Sequence, residues 1–164
     1  TKENVDIIVM LQGDEPMITP DMIKAAVNPL INNKKIKISN LYSKINSLEE
    51  FEDKNEIKVV IDQNQFALYF SRQPIPFKSK QYEDIPMFKQ VCVIPFTREF
   101  LLEYNNLKPT KLEEIESVDM LRVLENGIKI KMVYSEQNSY SVDNQYDLKN
   151  VIKLMKNDQL INEY

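Results

Sequence analysis

The stretch VDIIVMLQGDEP, residues 5–16, gives the strongest indication of the architecture. Val5 to Leu11 is a nearly continuous apolar run, which predicts a central strand buried on both faces, as in a parallel sheet covered by helices. The turn that follows, Gln12 to Pro16, combines a glycine with two acidic residues. Because ligands of such sheets bind beyond the carboxyl ends of the strands, this turn is the first candidate for a functional site.

Composition excludes several classes of chemistry. The chain of 164 residues is 43% hydrophobic and carries a net charge of −4. It has no apolar stretch near the roughly 20 residues of a membrane span. We therefore expect one soluble, cytoplasmic domain that binds neither nucleic acid nor a membrane. The lack of histidine excludes a Ser-His-Asp triad and a His-bearing zinc site from this sequence, and its two glycines allow no glycine-rich phosphate loop.

Two single residues add further expectations. Cys92 is the one cysteine of the sequence and lies between two valines, which predicts a buried thiol rather than a nucleophile. The sequence begins with Thr1 instead of methionine and enters an apolar strand almost at once. We therefore expect it to be a piece of a longer protein.

Strand and helix signals alternate along the rest of the chain. A helix is predicted from the N-cap Thr19 to about Asn33, with Pro29 kinking or shortening it. Segments 57–61 and 66–70 form a predicted hairpin, followed by a long loop over residues 73–86. The other predicted strands are 36–45, 91–96 and 128–134, and the other predicted helices begin after Ser47, Thr97 and Thr110 and at Asp143. This order predicts an α/β fold, with a doubly wound mixed sheet and an inserted antiparallel hairpin.

The helix after Thr110 is predicted to run without interruption to a left-handed cap at Gly127. Its apolar stripe is predicted to be core and consists of Leu112, Ile115, Val118, Leu121 and Leu124. Glu113 and Glu116 are three residues apart and share one helical face. Either these carboxylates accept hydrogen bonds from sugar hydroxyls, or Glu113 only completes the capping box.

Asp14 and Asp143 are the candidate metal ligands. Each follows a predicted strand, and two aspartates from different connections at one sheet edge are what Mg²⁺ bound to a nucleotide triphosphate requires. The alternatives are a tight turn with solvated carboxylates at Asp14 and a simple N-cap at Asp143. Arg72 is a third candidate, because a rigid proline-containing segment follows it and its planar fork suits a substrate carboxylate. The alternative is an ion pair with an acid such as Glu83 or Asp84.

Four motifs together resemble one family of enzymes. They are QGDEP (12–16), ALYFSRQPIP (67–76), LEEIESVDMLRVLENG (112–127) and SVDNQYDL (141–148). Their order and spacing resemble the 3-deoxy-manno-octulosonate cytidylyltransferases, also called CMP-KDO synthetases, over nearly the whole chain. The resemblance implies a nucleotide-diphospho-sugar transferase-like fold that transfers CMP from CTP to a 2-keto sugar acid and releases pyrophosphate.

The resemblance also implies partners and roles for residues. It implies CTP and Mg²⁺, with Asp14 and Asp143 as catalytic metal ligands, and a homodimer formed largely through residues 57–98 of a single domain, 1–164. It implies that the sugar acid contacts Gln12, Arg72, Glu113 and Glu116. A non-catalytic dimerising module derived from the same family is the alternative.

Three departures from the family pattern bear on these roles. The opening βα unit, whose glycine-containing loop cradles the CTP phosphates in the family, has no counterpart in this sequence. Gln90 and Ile94 stand where the family has a histidine and a tyrosine near the sugar. The last motif is usually GVDTPEDL, so Ser141, Asn144, Gln145 and Tyr146 also differ. An acceptor related to the octulosonate, but distinct from it, is consistent with these replacements.

Overall fold

The structure, a computed structural model, describes residues 5–77 and 85–156 of the chain. Its elements follow one another in the order β1 Ile7–Leu11, α1 Pro20–Asn32, β2 Ser39–Lys44, α2 Leu48–Glu52, β3 Lys58–Ile61, β4 Ala67–Ser71, β5 Phe88–Val91, β6 Val93–Thr97, α3 Arg98–Tyr104, α4 Lys111–Glu116, α5 Met120–Glu125, β7 Lys131–Tyr134 and α6 Gln145–Met155. No helix within these two ranges is long and apolar enough to cross a membrane.

The strands form a mixed arrangement, as predicted. Five of them make one sheet in the order β4-β3-β5-β2-β7, in which β2 and β7 are parallel and the other pairs are antiparallel. The predicted hairpin is present as β3 and β4. The single strand predicted over residues 91–96 is two strands, β5 and β6, with only Cys92 between them. The chain therefore passes at Cys92 from the large sheet to a second sheet of β1 and β6.

The described residues do not give β1 the neighbours that its sequence predicts. Among the described residues β1 pairs only with β6, in the antiparallel sense, instead of lying at the centre of a parallel sheet. Its residues Ile7 to Met10 are only partly buried, and Leu11 is 45% exposed. A continuous apolar run indicates that the segment tends to be buried, but it does not determine which strands pair with it.

Helix α1 forms as the sequence predicts and covers one side of the β2–β5–β6 region. The Thr19 hydroxyl caps it by accepting a hydrogen bond from the Met22 amide at 3.3 Å. Met22, Ala26 and Leu30 recur every four residues and are buried, and the first two pack with Leu41 and other residues of the strands. The helix contains Pro29 and still reaches Asn32, close to its predicted end.

The helix predicted between Thr110 and Gly127 is two helices, α4 and α5. Ser117 adopts a left-handed conformation with φ of 54°, which ends α4 ten residues early. The interruption rotates α4 relative to the predicted stripe, so Val118 and Leu121 are buried whereas Ile115 is 65% exposed. Gly127, with φ of 73°, follows the end of α5 and confirms the predicted left-handed stop.

Candidate functional site

A cavity lies beyond the end of β1, at the turn where the first motif predicts a functional site. Its volume is about 270 Å³, and we call it the acidic cavity. Four of the predicted site residues line it: Gln12, Asp14, Arg72 and Asp143. They come from the turn after β1, the end of β4 and the loop before α6, so tertiary structure brings together residues that are far apart in the sequence.

A backbone hydrogen bond joins the two segments that carry the aspartates. The Val142 amide donates to the Asp14 carbonyl oxygen at 2.8 Å, which holds Asp14 and Asp143 in one wall of the cavity. The Asp143 carboxylate accepts a hydrogen bond from the Ser141 hydroxyl at 2.6 Å. Neither aspartate forms an ion pair with a basic side chain of the described residues.

Asp143 is not the N-cap of α6, contrary to the sequence-based alternative. The cap is Asn144, whose side-chain oxygen accepts hydrogen bonds from the Tyr146 and Asp147 amides at 2.8 and 3.1 Å. The Asp147 carboxylate in turn accepts a hydrogen bond from the Asn144 backbone amide at 3.1 Å, which completes a capping box. This signal was present in the sequence one residue further on. The Asp143 carboxylate is therefore not committed to capping the helix.

Asp14 and Asp143 fit the ligand set expected for nucleotide-bound Mg²⁺. Within residues 5–77 and 85–156 no three acidic, cysteine or histidine side chains converge in a way that holds a metal by themselves. Two carboxylates in one open cavity are nevertheless a suitable pair, because Mg²⁺ is usually held by one or two carboxylates and by phosphate oxygens of its substrate. The donor set therefore suits a metal that binds together with a nucleotide.

Glu15 fixes the turn beyond β1. Its side chain is buried, and one carboxylate oxygen accepts a hydrogen bond from the Cys92 amide at 2.8 Å, at the junction of β5 and β6. Cys92 is itself buried, as predicted. Burial, with the Glu15 carboxylate nearby, raises the pKa of the thiol well above its usual range. Cys92 is therefore a structural residue that remains protonated.

Arg72 lines the acidic cavity, but much of its guanidinium binds backbone. Its Nε, Nη1 and Nη2 donate to the carbonyl oxygens of Glu116, Lys54 and Ser117 at 2.8, 2.9 and 3.2 Å. A guanidinium has five N–H donors, so two remain beyond these three contacts. Arg72 thus ties α4 to the segment before β3. Its suggested partners Glu83 and Asp84 lie outside the described residues.

Glu116 supports Arg72 and does not line the cavity. Its carboxylate accepts hydrogen bonds from the Arg72 amide at 2.9 Å, the Ser71 hydroxyl at 2.8 Å and the Tyr69 hydroxyl at 3.3 Å. Burial opposes ionisation of this carboxyl, but the three hydrogen bonds outweigh it and lower the pKa of Glu116. The structure therefore places Glu116 behind the cavity wall and away from the predicted sugar contact.

Glu113 is also remote from the cavity. It is 7% exposed and forms an ion pair with Arg122, whose Nε donates to Glu113 Oε2 at 2.8 Å. The hydrogen bonds from Arg122, against the effect of burial, lower the pKa of Glu113. The Thr110 amide also donates to Glu113, at 3.0 Å. The capping alternative is therefore the role that the structure shows, and Glu113 does not line the acidic cavity that contains the other predicted site residues.

Gln90 and Ile94, the replacements noted in the sequence, both line the acidic cavity. The Gln90 side chain is largely buried, and its Nε2 donates to Asn40 Oδ1 at 2.6 Å. The side-chain nitrogen Nδ2 of Asn40 in turn donates to the Val91 carbonyl oxygen at 2.7 Å. Gln90 is thus held in one orientation on the cavity wall.

Sequence reasoning missed Glu56 and Lys89. Lys89 is 1% exposed, and its Nζ lies 2.8 Å from Glu50 Oε1, 2.9 Å from Glu56 Oε1 and 4.7 Å from the centroid of the Tyr140 ring. Burial disfavours the charged amine, but the two carboxylates outweigh it and raise the pKa of Lys89. Burial raises the pKa of Glu56, and Lys89 partly offsets that effect. No motif marks these residues, because β-pairing of β3 with β5 is what brings them together.

A second cavity of about 650 Å³, which we call the annex, adjoins the first. It lies between the segment before β3, the loop 140–143 and α6. Four residues line both cavities, namely Asn55, Glu56, Ser141 and Asp143. The annex is therefore continuous with the wall that carries the candidate metal ligand Asp143.

The acidic cavity is strongly negative. Five acidic residues line it, Asp14, Glu15, Glu56, Asp119 and Asp143, against one arginine, Arg72. An anionic ligand is repelled by such a wall unless a cation binds with it. The charge distribution therefore favours a ligand that binds with a divalent metal.

Known proteins resemble the chain in sequence over most of its length. The cytidylyltransferase family model matches residues 1–130. The chain is 40% identical to the 3-deoxy-manno-octulosonate cytidylyltransferase of Fusobacterium nucleatum over 94% of its own length and 63% of that protein. It is 44% identical to the protein of the same description from Solibacter usitatus, over 94% of its length and 61% of that protein. The chain thus spans less than two thirds of these relatives.

Solved structures agree with the sequence comparisons. The structure of a CMP:2-keto-3-deoxy-manno-octonic acid synthetase complexed with CTP superimposes with a TM-score of 0.85 at 32% identity, covering 94% of this chain and 64% of that one. The inositol-1-phosphate CTP transferase of T. maritima shares the fold, with a TM-score of 0.57 at 16% identity over 94% of this chain and 56% of that one. The matched sequence and the matched fold together establish that the chain belongs to the cytidylyltransferase family.

Proposed function

We propose that the complete protein transfers CMP from CTP to a 2-keto sugar acid, 3-deoxy-manno-octulosonate or a related acid, and releases pyrophosphate. The observation that carries this proposal is the hydrogen bond from Val142 to Asp14, which places two candidate metal ligands in one cavity. The relatives named for this reaction are about 40% identical to the chain, and the CTP complex of a synthetase has the same fold.

The reaction requires an oxygen nucleophile and charge neutralisation. The anomeric hydroxyl of the acceptor attacks the α-phosphorus of CTP, a new phosphorus–oxygen bond forms, and the bond to the bridging oxygen of pyrophosphate breaks. Asp14 and Asp143 would hold Mg²⁺, which, when bound, neutralises the charge that develops on the phosphate oxygens. Within this chain, which has no histidine, solvent or a carboxylate is the acceptor available for the hydroxyl proton.

The chain's own residues supply orientation. Gln90, held by Asn40, presents a fixed polar group on the acidic cavity, and Arg72 has two N–H donors beyond its backbone contacts. Both line the cavity that Asp14 and Asp143 share. These groups suit the carboxylate and hydroxyls of a sugar acid.

The proposal includes a homodimer formed through residues 57–98. The outer face of this region supports it, because Leu68 is 61% exposed and Phe77 is 88% exposed. Large apolar side chains in such positions are typical of protein–protein interfaces. Sedimentation analysis of Leu68→Glu tests this part, and a variant that remains dimeric with unchanged affinity would overturn it.

Pyrophosphate release by the complete protein tests the reaction. The assay contains CTP, Mg²⁺ and a panel of 2-keto sugar acids, with UTP and a chelator as controls. We expect turnover that requires CTP, metal and one of the acids. No turnover with any acid, together with no CTP binding by calorimetry, would reject the reaction. A stable dimer that does not bind CTP would support the non-catalytic alternative.

A further inference from the structure

The annex is a second binding space that the proposed chemistry does not use. The acidic cavity, at about 270 Å³, is smaller than the roughly 300–1,000 Å³ of typical ligand pockets, whereas the annex, at about 650 Å³, lies within that range. The two meet at Asn55, Glu56, Ser141 and Asp143. A ligand that reacts beside Asp143 and is larger than the acidic cavity therefore has direct access to the annex.

Glu56 occupies the junction in a fixed position. Lys58, which is wholly buried, donates from Nζ to the carbonyl oxygens of Asp53 and Glu56, both at 2.6 Å, and so fixes the backbone of this turn. Lys89 holds Glu56 Oε1 at 2.9 Å. No hydrogen bond to Glu56 Oε2 occurs among the described residues, so this oxygen is free to accept one at the junction.

The part of the annex lining that α6 supplies is suited to the carbon skeleton of a sugar. Val151 and Leu154 of α6 provide apolar surface, and Asn150, which precedes Val151 in the same helix, provides an amide. A polyol chain presents both C–H faces and hydroxyl groups, so it suits a cavity whose lining includes apolar side chains and a carboxylate. A hydroxyl donating to an ionised carboxylate forms one of the stronger hydrogen bonds found in proteins.

We infer that the annex binds the hydroxylated tail of the acceptor sugar acid, the part remote from the reacting anomeric hydroxyl, and that Glu56 is the residue that selects acceptors with such a tail. This assignment rests on the proposed function. Glu56 accepts a hydrogen bond from a tail hydroxyl through Oε2, while Lys89 is a positioning residue that fixes the carboxylate.

The test uses two acceptors that differ only in their tails. One is 3-deoxy-manno-octulosonate, which has eight carbons, and the other is a six-carbon 2-keto-3-deoxy sugar acid, whose ring form lacks the last two carbons. In the complete protein, Glu56→Ala is expected to lower kcat/KM for the eight-carbon acid about ten- to a hundredfold, the loss typical of a hydrogen bond to a charged group. We expect kcat/KM for the six-carbon acid and KM for CTP to change less than about threefold, because neither of these substrates reaches Glu56 through a tail.

Two further variants separate recognition from stability. Glu50→Ala removes the other carboxylate partner of Lys89 but lines neither cavity, so it is the matched control and should leave the preference for the longer acid unchanged. Leu154→Trp narrows the annex from a partly exposed position on α6 and should reduce kcat/KM for the eight-carbon acid alone.

Each alternative outcome has a definite meaning. An equal loss for both acids in Glu56→Ala, or a selective rise in KM for CTP, would overturn the assignment and leave the proposed function intact. Loss of the preference in Glu50→Ala would overturn the role of Glu56 as well, since a general disturbance would then explain the effect. No turnover of either acid by the unaltered protein would overturn the proposed function and the assignment together.

Discussion

The carboxylates on α4 and those beyond β1 have opposite surroundings. Glu113 and Glu116 are enclosed by donors from Arg122, Arg72, Ser71 and neighbouring amides, and both have a lowered pKa. Asp14 and Asp143 line an open cavity without a basic partner among the described residues. Among these four carboxylates, the two that donors of the protein already surround support the framework, whereas the two without a cation are available to a metal.

The comparison predicts its largest effect at Asp14. Asp14→Asn in the complete protein is expected to reduce cytidylyl transfer at least about a hundredfold, because the loss of a metal ligand removes several kcal/mol of charge stabilisation. Asp143→Asn should behave alike. The melting temperature should change little in either variant, since both side chains are exposed. Pyrophosphate release and thermal unfolding are measured on the same preparations.

Asp21→Asn is the control for both substitutions. Asp21 is an exposed aspartate in the first turn of α1, paired with Lys24 at 2.9 Å, and it lines neither cavity. We expect it to leave both measurements unchanged. Near-normal turnover in Asp14→Asn or Asp143→Asn would contradict the distinction between the two groups of carboxylates.

The opposite effect is expected at Glu113. Glu113→Ala leaves the Arg122 guanidinium without its partner and should lower the free energy of unfolding by about 3 kcal/mol, as is typical when one member of a buried pair is removed. Chemical denaturation measures this loss. Glu103→Ala, which breaks the exposed pair with Lys37, is the control and should cost less than about 1 kcal/mol. Equal costs in the two variants would weaken the comparison.

The same carboxylates predict a dependence of stability on pH. Because the pKa of Glu113 is lowered in the folded state, its contribution is complete above its ordinary value of 4.5 and is lost as the pH falls below it. Unfolding measured from pH 7 to pH 3 should therefore show a steeper loss for the unaltered protein than for Glu113→Gln. Parallel curves would mean that Glu113 does not stabilise the fold through its charge.

Arg72 lies between the two groups and should show an intermediate effect. Arg72→Lys removes at least two of the three contacts to backbone carbonyls and is expected to cost about 1 to 3 kcal/mol of stability. If its two remaining donors also bind the acceptor carboxylate, KM for the acceptor rises while KM for CTP does not. Measuring thermal unfolding and both KM values on this variant distinguishes the stabilising role of Arg72 from its contact with the substrate. An unchanged KM for the acceptor would reject that contact.

Cys92 should show the smallest effect. Cys92→Ala is expected to cost about 1 kcal/mol, through lost burial of the sulfur, and to leave turnover nearly unchanged. Because burial raises the pKa of the thiol, the folded protein should react slowly with iodoacetamide at pH 8. Rapid alkylation of the folded protein would contradict this environment.

Local signals were sufficient for many elements of the fold. The Thr19 cap, the recurrence of Met22, Ala26 and Leu30, and the stop at Gly127 each depend on neighbours within one or two turns, and the structure has all three. The break at Ser117 was missed because no glycine or proline marks it. The N-cap of α6 was misplaced by one residue because Asp143 and Asn144 are equally good caps by residue type.

The sequence by itself determined which reactive side chains this chain offers and the family to which it belongs. It contains no histidine, it has an acidic turn after an apolar strand, and its four motifs keep a characteristic order. These properties depend only on residue types and their spacing, so they can be determined without a structure.

Only the tertiary structure decided which carboxylates are available. Glu113 and Asp143 are both carboxylate residues near helix starts, but Glu113 pairs with Arg122 whereas Asp143 lines an open cavity. Likewise, Glu56 and Lys89 are 33 positions apart and become a pair only because β3 lies beside β5. The free energy of a charge depends on what surrounds it, and those surroundings come from distant parts of the chain.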